Sequence, residues 1–243
     1  MKEYKYSLII ASLLFLLFLT SCGKPNEKLS VPVEDLHIQV ADVKADISQF
    51  EPIAWEKQNV SRKEWSKMIY SVIENEEPSM LNDNVAKDIE TFCPNYDFLS
   101  PDQRLNFWGQ FFAALAKPES DWKATESTIE PIKNFKKVDA VTNQRVRSEG
   151  LLQLSYQDEK SYRLNCGFNW NRDRNLAPED PRKTILNPYL NLRCGIKIMS
   201  RQLKNKKSIT LEENVYWSVL RTSDHQHTIK EMAKMTRSLK ICQ

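Results

Sequence analysis

The sequence predicts a predominantly helical α+β domain with a small β-sheet or hairpin. Three observations carry that prediction. Leu105, Trp108, Phe112 and Leu115 recur at helical spacing behind a capping sequence, Ser100-Pro101-Asp102-Gln103. Leu192, Ile196, Met199 and Leu203 repeat the pattern behind Asn187-Pro188. Between the two runs lies a polar, turn-rich stretch, residues 124–147, in which "FKKVDAVTNQRVRS" reads as a hairpin turning near Thr142-Asn143.

The elements follow in chain order. Lys2 and Lys5 precede an apolar run, Leu8 to Leu19, which is too short to span a bilayer comfortably and has the form of an export signal. It ends in "LTSC", which resembles the lipobox of bacterial lipoproteins. That resemblance implies a signal peptide over 1–21, lipidation of Cys22 and a membrane held through that lipid. The alternative is an uncleaved anchor with a chance cysteine. Gly23 after the cysteine leaves an outer-membrane destination open, with the domain facing the periplasm. Residues 22–50 are polar and carry scattered prolines, and read as a lipid-anchored linker. The folded domain is expected over 51–243. From about Pro52, Trp55, Trp65, Met68, Ile69 and Val72 predict an amphipathic helix. Leu152 and Leu154 alternate against Gln153, and "NCGFNWNRDRNLAPEDPRK" reads as a loop. Two more helices are expected around "EENVYWSVLR" and "HTIKEMAKMTRSLKICQ".

Composition narrows the function classes. Of 243 residues, 41% are hydrophobic and 10% aromatic, which is a globular rather than a disordered composition. Net charge is only +3 with both signs interspersed, which offers no footprint for nucleic acid. Cys93, Cys166, Cys194 and Cys242 remain after Cys22. In an oxidising compartment an even count predicts two disulfides, and four cysteines allow three pairings. Cys166–Cys194 and Cys93–Cys242 are the pairs expected here, the second tying the start of the domain to its last helix; buried free thiols are the alternative. No Cys-x-x-Cys or Cys/His spacing indicates zinc, and His225-Gln226-His227 lacks an acidic or thiol partner nearby, so no metal and no cofactor are expected. "KNKK", Lys204 to Lys207, reads as a solvated helix end. No phosphate-binding glycine loop and no nucleophile elbow occur.

Three stretches then line up. They are "AKPES" with Glu119, "SEGLLQLS" with Gly150 and Gln153, and "NPYLNLRCGIKIM" with Asn191 and Gly195. In this order they resemble the soluble lytic transglycosylase (SLT) family and the related goose-type lysozymes. There an acid followed by serine closes a helix, a G-[LM]-[MLF]-Q segment follows, and N-[LI]-x-x-G opens another helix. The resemblance covers roughly residues 90–243, and "YWSVLR" with the flanking cysteines fits a lipoprotein branch. It implies a lysozyme-like domain and cleavage of the β-1,4 bond between N-acetylmuramic acid and N-acetylglucosamine in peptidoglycan glycan strands. One glutamate acts as acid and then base, and the substrate's own N-acetyl and 6-hydroxyl groups replace a second carboxylate and the water, giving a 1,6-anhydro sugar.

Physical chemistry agrees with Glu119 in that role. A carboxylic acid can protonate a leaving oxygen near neutral pH only if it is still protonated there, and burial beside apolar groups raises its pKa. Glu119 lies beside Pro118 and near Trp122 at the end of an apolar helix. By the resemblance Ser120 orients the acid, though it could simply cap the chain. Gly150 lets backbone approach a sugar or only bends a strand. Gln153 hydrogen-bonds substrate or is merely exposed. Tyr216 matches the tyrosine of the family's A-Y-N-x-G segment, although "VYWSVLR" departs from it. Asn191 and Gly195 are expected to be structural, a helix-start hydrogen bond and a tight helix contact. Trp170 and Trp217 either stack on sugars or fill the core. Pro118 departs from the pattern and removes a hydrogen bond from the last turn. Glu149 is a possible second carboxylate that could raise the pKa of Glu119, bind an amino sugar or activate water, or else point away from the site. Two alternatives stay open: a hydrolytic lysozyme on the same fold, with a possible preference for deacetylated glycan, and a non-catalytic peptidoglycan-binding lipoprotein.

Overall fold

A computed structural model describes residues 38–130 and 138–243. The export signal, Cys22, most of the linker and the Phe135–Lys137 part of the expected hairpin lie outside the described residues. Eight α-helices and one two-stranded sheet occur among those described: α1 (Ala54–Gln58), α2 (Lys63–Glu76), α3 (Ile89–Phe92), α4 (Pro101–Ser120), β1 (Ser127–Ile129), β2 (Arg147–Glu149), α5 (Tyr156–Ser161), α6 (Trp170–Asp173), α7 (Pro188–Lys206) and α8 (Gln226–Thr236). The class is helical α+β, as the sequence predicts.

Helix α4 is the axis of the core. Ser100 caps it, its hydroxyl accepting from the Gln103 amide while the Gln103 side chain accepts from the Ser100 amide. Leu105 and Phe107 through Ala116 are almost without exception sealed from solvent, so the helix is enclosed on every side rather than on one face. Its two buried amides are satisfied across helices. Asn106 accepts from the Glu51 amide, and Gln110 accepts from the Ala54 amide while donating to the Met235 carbonyl. Helix α2 packs on α4 and α7, and α8 lies against α4. Glu76 of α2 ties to α7 by receiving Arg193 at 2.7 Å and Lys197 at 2.7 Å.

Several elements differ from the sequence expectation, each for a physical reason. The helix expected from about Pro52 is two helices, because Asn59 is extended (φ −148°) and its side chain caps the next turn through the Ser61 amide. Residues 38–50, assigned to the linker, lie on the domain. Ile38, Val43, Ile47 and Phe50 pack against the core, and the Ser71 hydroxyl donates to the Ala41 carbonyl. Residues 212–221 form no α-helix. Asn214 is left-handed, Val215 and Trp217 are buried, and only a short 3₁₀ turn, Ser218–Leu220, appears. The last helix stops at Thr236. Trp170–Asp173, read as loop, is the single turn α6.

The sheet is a hairpin of register Ser127↔Glu149, Thr128↔Ser148 and Ile129↔Arg147. Its far end narrows through a Val138↔Arg145 bridge to a turn at Thr142-Asn143, where Asn143 supplies the left-handed residue (φ 54°). Both expected disulfides are present, Cys93–Cys242 and Cys166–Cys194.

Candidate functional site

Glu119 sits in the last turn of α4, where Pro118 has already removed one amide from the helix ladder. The chain then reverses sharply. Asp121 and Trp122 take successive left-handed conformations, φ 52° and 60°, unusual for residues other than glycine. The buried Trp122 holds this turn. Its indole donates to the Ala113 carbonyl at 2.7 Å, and the Lys117 ammonium lies 4.5 Å from its ring centroid. The reversal carries the chain into β1 and so brings a hairpin alongside the end of α4.

The carboxyl of Glu119 is partly buried, and among the described residues no hydrogen bond holds it. Burial, and after it the negative charge of Glu130, together push its pKa up to about 8. Glu130, the residue after β1 and its continuation, was not singled out from sequence. Its amide donates to the Val146 carbonyl at 3.2 Å, and its carboxylate receives the Ser148 hydroxyl. Tyr216 belongs to the same group. Burial, then Asp158, and to a smaller extent Glu119, hold its phenol well above its ordinary value, and its hydroxyl donates to Asp158 at 2.5 Å. Asp158 is a second residue sequence reading missed. It caps α5 by accepting from the Ser155 amide at 2.6 Å, a capping box legible as "SYQD".

Glu149 does not share this site. Side chains alternate across a strand, so Ser127, Arg147 and Glu149 fall on one face of the hairpin, and Thr128, Ser148 and Glu130 on the other. The contacts follow that division. Glu149 is buried, accepts from the Ser127 hydroxyl at 3.3 Å and forms a buried ion pair with Lys183. Burial raises its pKa, while Lys183 and Arg147 oppose that shift. The second carboxylate at the end of α4 is therefore Glu130, and Glu149 is an internal counter-ion.

The remaining candidates build the turn beneath Glu119. Gly150 to Gln153 forms a tight reversal closed by paired Glu149–Leu154 backbone hydrogen bonds, with Gly150 at φ 78° and Gln153 at φ 49°. A Cβ on Gly150 would lie 2.3 Å from Asn191 Nδ2, so the glycine admits Asn191 rather than a sugar. Asn191 donates to the carbonyls of Glu149 at 3.0 Å and Ile185 at 2.9 Å, and accepts from the Leu152 amide at 2.9 Å. A Cβ on Gly195 would come within 2.3 Å of Leu152. Ser120 is buried, and its one hydroxyl proton is directed to the Leu151 carbonyl at 2.9 Å or that of Ala116 at 3.2 Å. It is a positioning residue that fastens the end of α4 to the turn, not a sugar contact. Gln153 donates to the Gly150 and Glu126 carbonyls at 2.9 and 3.4 Å and stays partly exposed. Trp217 is core, its indole donating to the Leu152 carbonyl at 2.9 Å. Trp170 is partly exposed on the Glu149 side of the hairpin, in edge contact with Tyr156. Among the described residues, no group of three or more His, Cys, Asp or Glu side chains is placed to hold a metal ion, and no helix is long and apolar enough to cross a membrane.

No family model matches the chain, and no curated protein matches it. Solved structures do. The chain is similar to Bd0314 DslA, wild-type form 2, at 29% identity with a TM-score of 0.63, over 79% of this chain and 98% of that one. Two glutamate-to-glutamine mutants of DslA match equally, at 29% identity over 79% of this chain, with TM-scores of 0.62 and 0.63 over 97% and 99% of theirs. The two mutated glutamates lie eleven positions apart in DslA, and the same spacing separates Glu119 from Glu130.

Proposed function

We propose that this protein cleaves the β-1,4 bond between N-acetylmuramic acid and N-acetylglucosamine in peptidoglycan, with Glu119 as general acid and then base. The observation that carries the reading is the environment of Glu119. A carboxyl with a pKa of about 8 is protonated at neutral pH and, with no hydrogen bond committing it, is free to meet a substrate oxygen. Glu119 gives its proton to the bridging oxygen as the C1–O bond breaks. The resulting carboxylate takes a proton from the attacking hydroxyl as the new C1–O bond forms. If the attacker is the sugar's own 6-hydroxyl, the product is a 1,6-anhydro muropeptide and the enzyme is a lytic transglycosylase of the SLT type. The lipobox-like "LTSC" and the two disulfides fit an exported lipoprotein anchored through Cys22, at the outer membrane and facing the periplasm.

One observation favours a second reading. Glu130 supplies the second carboxylate that a single-acid transglycosylase lacks. Ionised, it could activate water, making the enzyme a lysozyme that leaves reducing ends, or attract the ammonium of a deacetylated sugar. Mass spectrometry of fragments released from purified sacculi, acetylated and chemically deacetylated, separates these readings. Anhydro products from the full-length chain, lost in Glu119→Gln, mean transglycosylation. Reducing ends mean hydrolysis, and more product from deacetylated sacculi means amine recognition. No fragments from either substrate would remove the catalytic role of Glu119 and leave a peptidoglycan-binding protein.

A further inference from the structure

A concavity lies on the Glu149 face of the hairpin, opposite the face that carries Glu130. Its volume is about 110 Å³, many times the roughly 10–15 Å³ that one water needs, so it admits a functional group and the atoms that carry it. Arg145 and Arg147 line it from the hairpin, Arg174 from just beyond α6, and Lys183 from its base, while Trp170 and Pro178 supply apolar wall. The balance of charge is positive. Four cationic side chains meet two acidic ones, Glu149 and Asp139, and both acids already have partners. Glu149 is paired with Lys183. Asp139 is buried and accepts from the amides of Val141, Thr142 and Gln157.

The arginines are different. Arg145 donates to the Glu130 carbonyl, and Arg147 to the Ser127 carbonyl and hydroxyl. Among the described residues, no carboxylate lies within salt-bridge distance of Arg145, Arg147 or Arg174. A guanidinium presents a planar fork of donors suited to a carboxylate. Three of them around one concavity, beside an indole, match a short peptide that carries free carboxylates. Glycan strands of peptidoglycan bear such peptides as side branches. We propose that this pocket binds a carboxylate of the stem peptide, so that the enzyme reads the peptide on one face of the hairpin and the sugar bond on the other. This rests on the peptidoglycan reading above.

The experiment uses the full-length chain and two probes. The first is the free stem tetrapeptide, followed by NMR through the Trp170 indole signal, which Trp170→Phe assigns. Binding that shifts this signal, and that weakens roughly ten-fold in Arg174→Ser and in Arg145→Ser but not in Arg182→Ser outside the pocket, supports the proposal. The second is a pair of glycan strand preparations, one bearing stems and one stripped of them by an amidase. KM should be lower for the stem-bearing strands, and that ratio should fall towards one in Arg174→Ser. A peptide that leaves the Trp170 signal unmoved, or a ratio unchanged by Arg174→Ser, overturns it. The titration can also be run on Glu119→Gln. That variant should bind the peptide as the wild type does. A wild-type chain that binds peptide but cuts nothing would sink the catalytic reading alone, and a wild-type chain that cuts but ignores peptide would sink the pocket alone.

Discussion

Glu119 closes an apolar helix, and burial there is the larger cause of its raised pKa, with the charge of Glu130 adding to it. Glu149 stands out in the sequence beside Gly150, as a second carboxylate or as an acid that points away from the site. Adjacent strand residues face opposite ways, and the face of Glu149 belongs to Lys183. Glu130 carries no such local mark. It reaches Glu119 only because the chain reverses at Asp121 and Trp122 and β1 then pairs with β2. The raised pKa of Glu119 gives a signed prediction. Below its unfolded value, near 4.5, Glu119 is protonated in both states. Between that value and about 8 the folded protein holds a proton the unfolded chain has lost, so stability falls as pH rises through this window. Glu119→Gln removes that dependence. It should melt at a higher temperature than the wild type at pH 9, with the gap closing towards pH 5, and should lose roughly a thousand-fold or more in cleavage rate. Thermal melts across pH check the first part; equal gaps at both ends would refute it. Glu130→Gln removes the like charge, so the alkaline limb of the pH–rate profile should move to lower pH. A limb that stays in place would mean that burial alone sets the pKa.

Among the elements, those with their own punctuation were read correctly. Ser100-Pro101 and Asn187-Pro188 start α4 and α7 where caps and proline require. The stretch around Trp217 misled because its apolar residues answer to distant partners, the Leu152 carbonyl above all, rather than to a helical period. The turn Gly150–Gln153 looked like part of a strand for the same reason. What shapes it is Asn191, a residue about forty positions away in α7. Asn191→Ala would leave two buried backbone groups, the Leu152 amide and the Ile185 carbonyl, without partners and the Glu149 carbonyl with only the Leu154 amide, and should cost roughly 3 kcal/mol. Asn187→Ala removes only a helix cap and should cost about 1 kcal/mol. Urea denaturation distinguishes the two. Comparable midpoints for the two variants would mean that water or backbone relaxation replaces Asn191, and the turn would then not depend on α7.

For the whole molecule, the helical class, the number of bridges and the hairpin turn were readable, because each follows from composition, cysteine count or turn chemistry. The count alone leaves three pairings, of which the structure has the expected one. The extent of the domain was not. Residues 38–50 look polar, yet their few apolar side chains dock on α2 and the core. The disulfides act at this largest scale, and unequally. Cys93–Cys242 closes a separation of 149 residues, whereas Cys166–Cys194 closes 28. If the bridges work mainly by limiting the unfolded chain, the longer loop matters more, about 5 kcal/mol against about 3.5 kcal/mol. The long bridge is buried and joins the end of α3, which packs on α8, to the last residues of the chain. The short one joins the loop after α5 to the middle of α7, close to the Asn191 and Gly195 contacts under Glu119. Replacing Cys93 and Cys242 together by serine should therefore lower the denaturation midpoint more than replacing Cys166 and Cys194. The second pair should have the larger effect on cleavage rate per folded molecule, because it loosens the helix that shapes the turn beneath Glu119. Denaturation curves and rates corrected for folded fraction test both halves. If the short bridge proves the more stabilising, native contacts around α7 rather than loop closure dominate its effect.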